Sequence, residues 1–187
     1  SPRLARQNLM ALVARDPANG ERLMFRGMRW FYPEGSPNEG QSYAAQRTVN
    51  DILADADLMR TNQTAQAHID ATRQELMEET GLTDAEIIEV PFLMWEIERG
   101  LLAAYQPGTV NLLLFGRNVV MARPHGVVID GSDAVEQDLV ERFRPDNITV
   151  HFAEQWDILH AAEGEVHCGT NALRDIPMGY HWWEVTR

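Results

Sequence analysis

Three segments of the chain carry apolar residues at the spacing of an amphipathic helix. The clearest is the second half of residues 43–80, whose apolar face stops just before Gly81, a residue typical of helix ends. The pattern predicts helices over residues 4–15, over residues 43–80 as a pair broken near residues 57–61, and over residues 132–143, with Ser132 or Asp133 as the cap and Val135, Leu139, Val140 and Phe143 inward.

Shorter runs of apolar and aromatic residues predict the strands. Residues 109–121 are the most strand-like, with a turn at residues 116–118, and we expect burial on both faces because apolar and polar positions do not alternate there. Further strands are predicted over residues 21–32, 87–97, 148–152 and 180–185, with a short helix over residues 155–162. Strands that alternate with helices predict an α/β architecture.

Composition and charge narrow the class of protein. The chain has 187 residues, of which 44% are apolar, enough for one domain with a buried core. A net charge of −12 argues against a nucleic-acid partner and favours either a cationic partner or simple solubility. No apolar run approaches the roughly 20 residues of a membrane-spanning helix. Because no signal peptide precedes the first helix either, we expect no membrane partner and a cytoplasmic location.

The chemistry-bearing segment is Gly164-Glu165-Val166-His167-Cys168-Gly169-Thr170-Asn171. Cys168 is the single cysteine of the chain, which excludes an internal disulfide. A free thiol has a pKa of about 8.5, and a nearby histidine or backbone N–H groups in a glycine-containing turn would raise its thiolate fraction. Cys168 is therefore either a nucleophile or a small buried apolar residue, and spacing alone leaves both open.

The same segment, with Trp182-Trp183 near the end of the chain, resembles the C-terminal end of the protein-arginine deiminases. The likeness extends upstream to Gly81-Leu82, Val90-Pro91, Val110-Asn111-Leu112-Leu113 and Pro124-His125-Gly126. The resemblance implies a partial α/β propeller, the pentein fold, made of ββαβ-type modules with mixed sheets and outer helices. Residues 1–187 would form the C-terminal portion of its catalytic domain, incomplete at the N-terminal side, which agrees with the missing initiator Met.

The resemblance also implies a function, the deimination of peptidyl arginine to citrulline, a hydrolytic post-translational modification. Cys168 would be the catalytic nucleophile that attacks the guanidinium carbon. The partners implied are an arginine-containing protein or peptide and the missing N-terminal part, which would supply the general acid/base and the carboxylates that hold the guanidinium. Without that part we expect the chain to be inactive.

Two further expectations concern ligands. Calcium is a possible cofactor by family resemblance, although no calcium-loop motif occurs in this sequence. His68 and Asp70 have the family's His-x-Asp spacing, but on a helix they point to different faces, so we assign them no catalytic role. The histidines and tryptophans elsewhere are interpreted as strand, surface or core residues.

Two alternatives remain at this stage. The chain could belong to another guanidino-modifying enzyme that acts on free arginine, agmatine or dimethylarginine. It could also be a non-catalytic interaction module on the same fold, with Cys168 as a core thiol.

Overall fold

The computed structural model describes residues 1–32 and 34–171, and within them helices and short strands alternate along the chain. The helices are α1 (Pro2–Arg15), α2 (Val49–Ala54), α3 (Ala56–Thr80) and α4 (Ala134–Phe143). The strands are β1 (Leu23–Met24), β2 (Arg29–Phe31), β3 (Ser42–Ala44), β4 (Arg47–Thr48), β5 (Met94–Glu98), β6 (Leu101–Ala104), β7 (Leu113–Phe115), β8 (Asn118–Ala122), β9 (Val128–Ile129), β10 (Ser132–Asp133) and β11 (Thr149–Ala153). Short 3₁₀ turns cover Pro17–Glu21, Asp84–Glu86, Arg144–Asp146 and His160–Ala162.

Capping residues set the ends of three helices. The hydroxyl of Ser1 accepts a hydrogen bond from the backbone of Leu4 at the start of α1, and the carboxylate of Asp133 accepts from two amides of α4. Gly81 ends α3 in the left-handed region, at φ 74°. The predictions of α1, α4 and this helix end are confirmed.

The predicted helix over residues 43–80 is wrong at its start. Residues 42–44 and 47–48 are strands, because Tyr43 pairs with Trp30 in the β2–β3 hairpin. The break between the two helices lies at Asp55, not near residues 57–61, since its carboxylate accepts a hydrogen bond from the backbone of Leu58 and starts α3.

Two predicted strands are shorter than their apolar runs. Residues 21–32 form β1 and β2 with an interruption at Phe25, which has φ 56° and donates its N–H to the carbonyl of His125. Of residues 87–97, only those from Met94 onward join a strand. Residues 155–162 form turns and one 3₁₀ turn in place of the predicted helix. The predicted strand 180–185 lies outside the described residues.

One ββαβ unit is complete among the described residues. Strands β7 and β8 form an antiparallel hairpin, α4 crosses over, and β11 returns parallel to β8, which is the central strand. This confirms a mixed α/β fold, with the remaining described sheets being two-stranded. The propeller of repeated modules stays a prediction.

Burial within this unit differs from the predicted pattern at two places. Strand β8 buries Val119 and Met121, but Leu114 and Phe115 of β7 are 59% and 51% exposed, so burial on both faces is wrong for β7. In α4, Leu139 and Phe143 are buried as predicted, whereas Val140 is 41% exposed. Strand β7 is an edge strand, and only the hairpin partner β8 has neighbours on both sides.

A cluster of aromatic rings lies in the hydrophobic core around Trp156. Trp156 lies between Phe25 and Trp30, at ring-centroid distances of 5.5 and 4.9 Å, and its indole N–H donates to the carbonyl of Arg29 at 2.8 Å. The interpretation of Trp30 and Trp156 as core residues is confirmed. Across residues 1–32 and 34–171, the structure contains no helix with the length and apolar character needed to span a membrane.

Neighbouring residues of α4 offer a test of the packing. Leu139 is fully buried beside Val119 and Met121, so Leu139→Ala should lower the free energy of unfolding by about 2–5 kcal/mol. The exposed neighbour Val140 is the matched control, and Val140→Ala should cost about 1 kcal/mol or less. Urea unfolding followed by circular dichroism measures both, and equal losses would contradict the described orientation of α4.

Candidate active site

Cys168 lies in a tight turn that follows the last 3₁₀ segment. The amide of Gly169 donates to the carbonyl of Glu165 at 3.2 Å, and the amide of Thr170 donates to the carbonyl of His167 at 3.1 Å. A Cβ added at Gly169 would lie 3.0 Å from a methyl carbon of Leu159, so this glycine permits close packing of the turn. Cys168 itself is exposed, which contradicts the alternative of a core thiol.

The surroundings of the sulphur lower the pKa of the Cys168 thiol. The backbone of Glu165 contributes most to this shift, and the side-chain amide of Asn111 contributes next. Asn111 Nδ2 lies 3.2 Å from Sγ. Such donors favour the charged thiolate over the thiol, and the thiolate is the nucleophilic form.

His167 directly precedes Cys168 in sequence, and it contacts Asn111 through its backbone. Its amide donates to the carbonyl of Asn111 at 3.2 Å, and its side chain is exposed. Among the hydrogen bonds of the described residues, none joins the His167 imidazole to Sγ. Of the two possibilities that the sequence left open, the structure therefore favours N–H donors over an adjacent imidazole.

A buried carboxylate connects this turn to the rest of the fold. Glu165 accepts hydrogen bonds from the amide of Gly108 at 2.8 Å and from the side chain of Gln155 at 2.7 Å. Its Oε1 also lies 2.9 Å from Nδ1 of His160. The His160 ring lies against Trp156 and Trp30, with centroid distances of 4.7 and 5.1 Å. The turn that carries Cys168 is thus connected to the aromatic core through the Glu165 side chain.

Asn111 and Glu165 are site residues to which sequence reasoning gave no role. Asn111 is a lone amide within an apolar run, and Glu165 is an acid inside the most specific segment of the chain. Either signal could have marked the residue as unusual. Neither signal indicates the partner, because Asn111 and Cys168 are 57 residues apart.

The remaining candidate residues have other partners. His68 is exposed on α3, and Asp70 pairs with Arg3 at 2.9 Å, a contact that lowers the pKa of this carboxyl group. His125 contacts Glu154, and His151 of β11 contacts the side chain of Asn118. His181, Trp182 and Trp183 lie outside the described residues.

The possible calcium site has no counterpart in the described part of the chain. Within residues 1–32 and 34–171, no group of three or more His, Cys, Asp or Glu side chains converges so as to hold a metal ion. The described acids therefore do not fit a calcium site, and we derive no step that involves the ion. Calcium remains an implication of the family alone.

The chain matches one protein-family model and several curated proteins. The family model described as protein-arginine deiminase (PAD) matches residues 10–184. Protein-arginine deiminase type-1 of Homo sapiens is 31% identical over 154 residues, which cover 82% of this chain and 23% of that protein. Type-3 of Homo sapiens is 33% identical over 138 residues, covering 74% of this chain and 20% of that protein. Type-4 of Mus musculus is 29% identical over 189 residues, covering 99% of this chain and 26% of that protein.

Fold and site together define a mixed α/β protein whose exposed turn carries a thiol of lowered pKa. The chain belongs to the protein-arginine deiminase family. It spans between a fifth and about a quarter of the length of these curated relatives.

The contact between Asn111 and the thiol predicts a measurable change in reactivity. Asn111→Ala removes a donor to the thiolate, so the pKa of Cys168 should rise and its alkylation by iodoacetamide at pH 7 should slow severalfold. The pH dependence of the alkylation rate measures this directly, since Cys168 is the single cysteine.

Asn118→Ala is the matched control, because Asn118 contacts His151 and not the thiol. It should leave the alkylation profile unchanged. An unchanged profile for Asn111→Ala as well would contradict the proposed effect of the amide on Sγ.

Proposed function

We propose that this chain carries the nucleophile of an enzyme that deiminates peptidyl arginine to peptidyl citrulline, and that Cys168 is this nucleophile. The observation that supports the proposal most is the exposed Cys168 thiol, with its pKa lowered by the Glu165 backbone and the Asn111 amide, in a chain of the protein-arginine deiminase family. An exposed sulphur is open to a substrate side chain, and a lowered pKa makes it a thiolate at a lower pH.

The proposed reaction has two halves. The thiolate attacks the guanidinium carbon, a C–S bond forms, and one C–N bond breaks as ammonia leaves with a transferred proton. Water then attacks the same carbon of the thiouronium intermediate, the C–S bond breaks, and the ureido group of citrulline remains. The sum is guanidinium plus water giving ureido plus ammonium, so no oxidant or reductant is needed.

The proposal assigns separate tasks to the residues around Sγ. Asn111 and the backbone N–H groups of the turn stabilise the thiolate before attack, and they do so without adding a positive charge. A neutral donor set suits a cationic substrate, because a protonated imidazole against the sulphur would repel the guanidinium. The net charge of −12 adds a long-range attraction for the same substrate.

The remaining chemistry requires groups that the described contacts do not bring to the sulphur. Deimination needs a general acid/base and carboxylates that hold the guanidinium in bidentate fashion. By family resemblance, we infer that a segment outside these 187 residues supplies them.

Activity of the isolated chain tests this part of the proposal. The 187 residues expressed alone should form no citrulline from an arginine peptide, because the nucleophile lacks its acid/base and its guanidinium carboxylates. Colorimetric detection of citrulline measures this, with the protein expressed from its full open reading frame as the positive control. Citrulline formation by the isolated chain would contradict the division of the site.

The nucleophile is tested in the protein expressed from its full open reading frame. Cys168→Ala should lower citrulline formation by about 10³-fold or more, because the covalent route is lost. A haloacetamidine probe that mimics arginine should label Cys168 in the unaltered protein, and mass spectrometry locates the label. Full activity of Cys168→Ala would show that Cys168 is not the nucleophile, and an absence of both label and activity in the unaltered protein would favour a non-catalytic interaction module.

The same preparation separates the enzyme classes that the sequence left open. We expect an arginine-containing peptide to be converted with a higher kcat/KM than free arginine, agmatine or dimethylarginine. The reverse order would assign the chain to an enzyme acting on small guanidino compounds.

A further inference from the structure

We propose that Glu165 is a positioning residue that holds Asn111 and Cys168 in register for the reaction. The inference rests on the proposed function, in which Cys168 is the nucleophile. It concerns a side chain that does not contact the sulphur through its carboxylate and to which the chemistry itself assigns no step.

Glu165 is buried to an extent unusual for an acid, with 5% of its surface exposed. A buried carboxylate is costly unless hydrogen-bond donors compensate for the lost water. Three donors do so here, one each from Gly108, Gln155 and His160, at 2.7–2.9 Å. Because a carboxylate oxygen only accepts, Nδ1 of His160 carries the proton in this contact.

The contact with Gly108 carries the effect to Asn111. The backbone N–H of Asn111 donates to the carbonyl of Gly108 at 3.1 Å, so residues 108–111 form one turn. Gly108, the first residue of this turn, is the one that contacts Glu165. At the other end of this turn, the backbone carbonyl of Asn111 accepts from the backbone N–H of His167. The side-chain amide of Asn111 donates to Sγ of Cys168. Three hydrogen bonds therefore fix the turn against the nucleophile segment, one each at Glu165, His167 and Cys168.

The approach of Gly108 to Glu165 is close. A Cβ at position 108 would lie 3.3 Å from Glu165 Oε1 and 3.5 Å from its Cγ. A side chain at this position would push the carboxylate away from the amide that it accepts from. Gly108 is thus part of the same hydrogen-bonded contact, and substitution of Gly108 is an independent way to disturb the position of the Glu165 carboxylate.

Charge and geometry act in opposite directions at this site. The negative charge of Glu165 raises the pKa of Cys168, whereas the backbone of the same residue and the Asn111 amide lower it. If Glu165 acted through its charge, removing that charge alone would lower the pKa of the Cys168 thiol most. If Glu165 acts as a tie, that is, through the hydrogen bonds that its side chain accepts, the rate of alkylation falls only when those hydrogen bonds are lost.

The chain offers a variant that separates the two. In Glu165→Gln the side-chain oxygen can accept from Gly108, while its NH₂ faces Gln155. Gln155 Oε1 is buried and has no hydrogen-bond partner among the described residues, so a flip of the Gln155 amide would present an acceptor. Glu165→Gln therefore retains the tie without the charge, and Glu165→Ala removes both.

The experiment uses the protein expressed from its full open reading frame and two readouts. We expect Glu165→Ala to lower kcat by about 10²-fold with KM little changed, since misplacement of a reacting group by about 1 Å has this effect. In Glu165→Ala, alkylation of Cys168 by iodoacetamide at pH 7 should also slow severalfold, because the pKa of Cys168 is raised. Glu165→Gln should restore kcat to within about threefold and leave alkylation as fast as in the parent or faster.

Glu98→Ala, at an exposed glutamate of β5, is the control and should change neither readout. If Glu165→Ala does not fold by circular dichroism, Gly108→Ala takes its place, with slower alkylation expected in a folded protein. A folded Glu165→Ala, or a folded Gly108→Ala in its place, with parental kcat and alkylation would overturn the proposal. A Glu165→Gln variant as impaired as Glu165→Ala would also overturn the proposal, because Glu165→Gln keeps the hydrogen bond from Gly108.

The two readouts keep this inference separate from the proposed function. Absence of citrulline formation in the parent protein would contradict deimination. The dependence of Cys168 alkylation on Glu165 would still be measurable in that case.

Discussion

The carboxylate of Glu165, buried and hydrogen-bonded to three residues, makes the interaction on which the described site depends. It connects the turn that carries Cys168 to Gly108, Gln155 and His160. Ionised groups are rarely enclosed in this way, because water solvates them better than protein does. Removing the Glu165 carboxylate would leave all three donors without this acceptor. The position of the turn therefore depends on this one side chain.

The aromatic core gives the carboxylate its dry surroundings. Trp30 and Trp156 enclose His160, and Trp156 is itself fixed by the carbonyl of Arg29. Core packing and site geometry are therefore linked, because His160 contacts both the tryptophan rings and Glu165. The Cys168 thiol is exposed, and neutral N–H donors lower its pKa. Such an arrangement leaves the space before the sulphur open to a cation.

Local signals predicted the parts of the fold that local contacts determine. The N-cap at Asp133, the helix end at Gly81 and the hairpin turn at residues 116–118 depend on residues within a few positions. Residues 43–48 were predicted to be helical, but Tyr43 pairs with Trp30 and Arg47 pairs with Met24, and a local pattern does not show such pairing. For the site, the single cysteine and its segment identified Cys168, but Asn111 and Gly108 are both 57 residues from their partners. No periodicity reports such a contact, and neither burial of Glu165 nor exposure of Cys168 follows from the composition of the segment.

The proposed function depends on a bond between the Cys168 sulphur and the guanidinium carbon of the substrate, and trapping the intermediate would reveal this bond. The protein expressed from its full open reading frame is mixed with an arginine peptide, quenched in acid within milliseconds, digested and analysed by mass spectrometry. We expect an adduct on the fragment that contains Cys168, equal in mass to the peptide minus one ammonia. Its amount should rise and then decay as citrulline accumulates. Citrulline formation with Cys168 unmodified at every time point would contradict it.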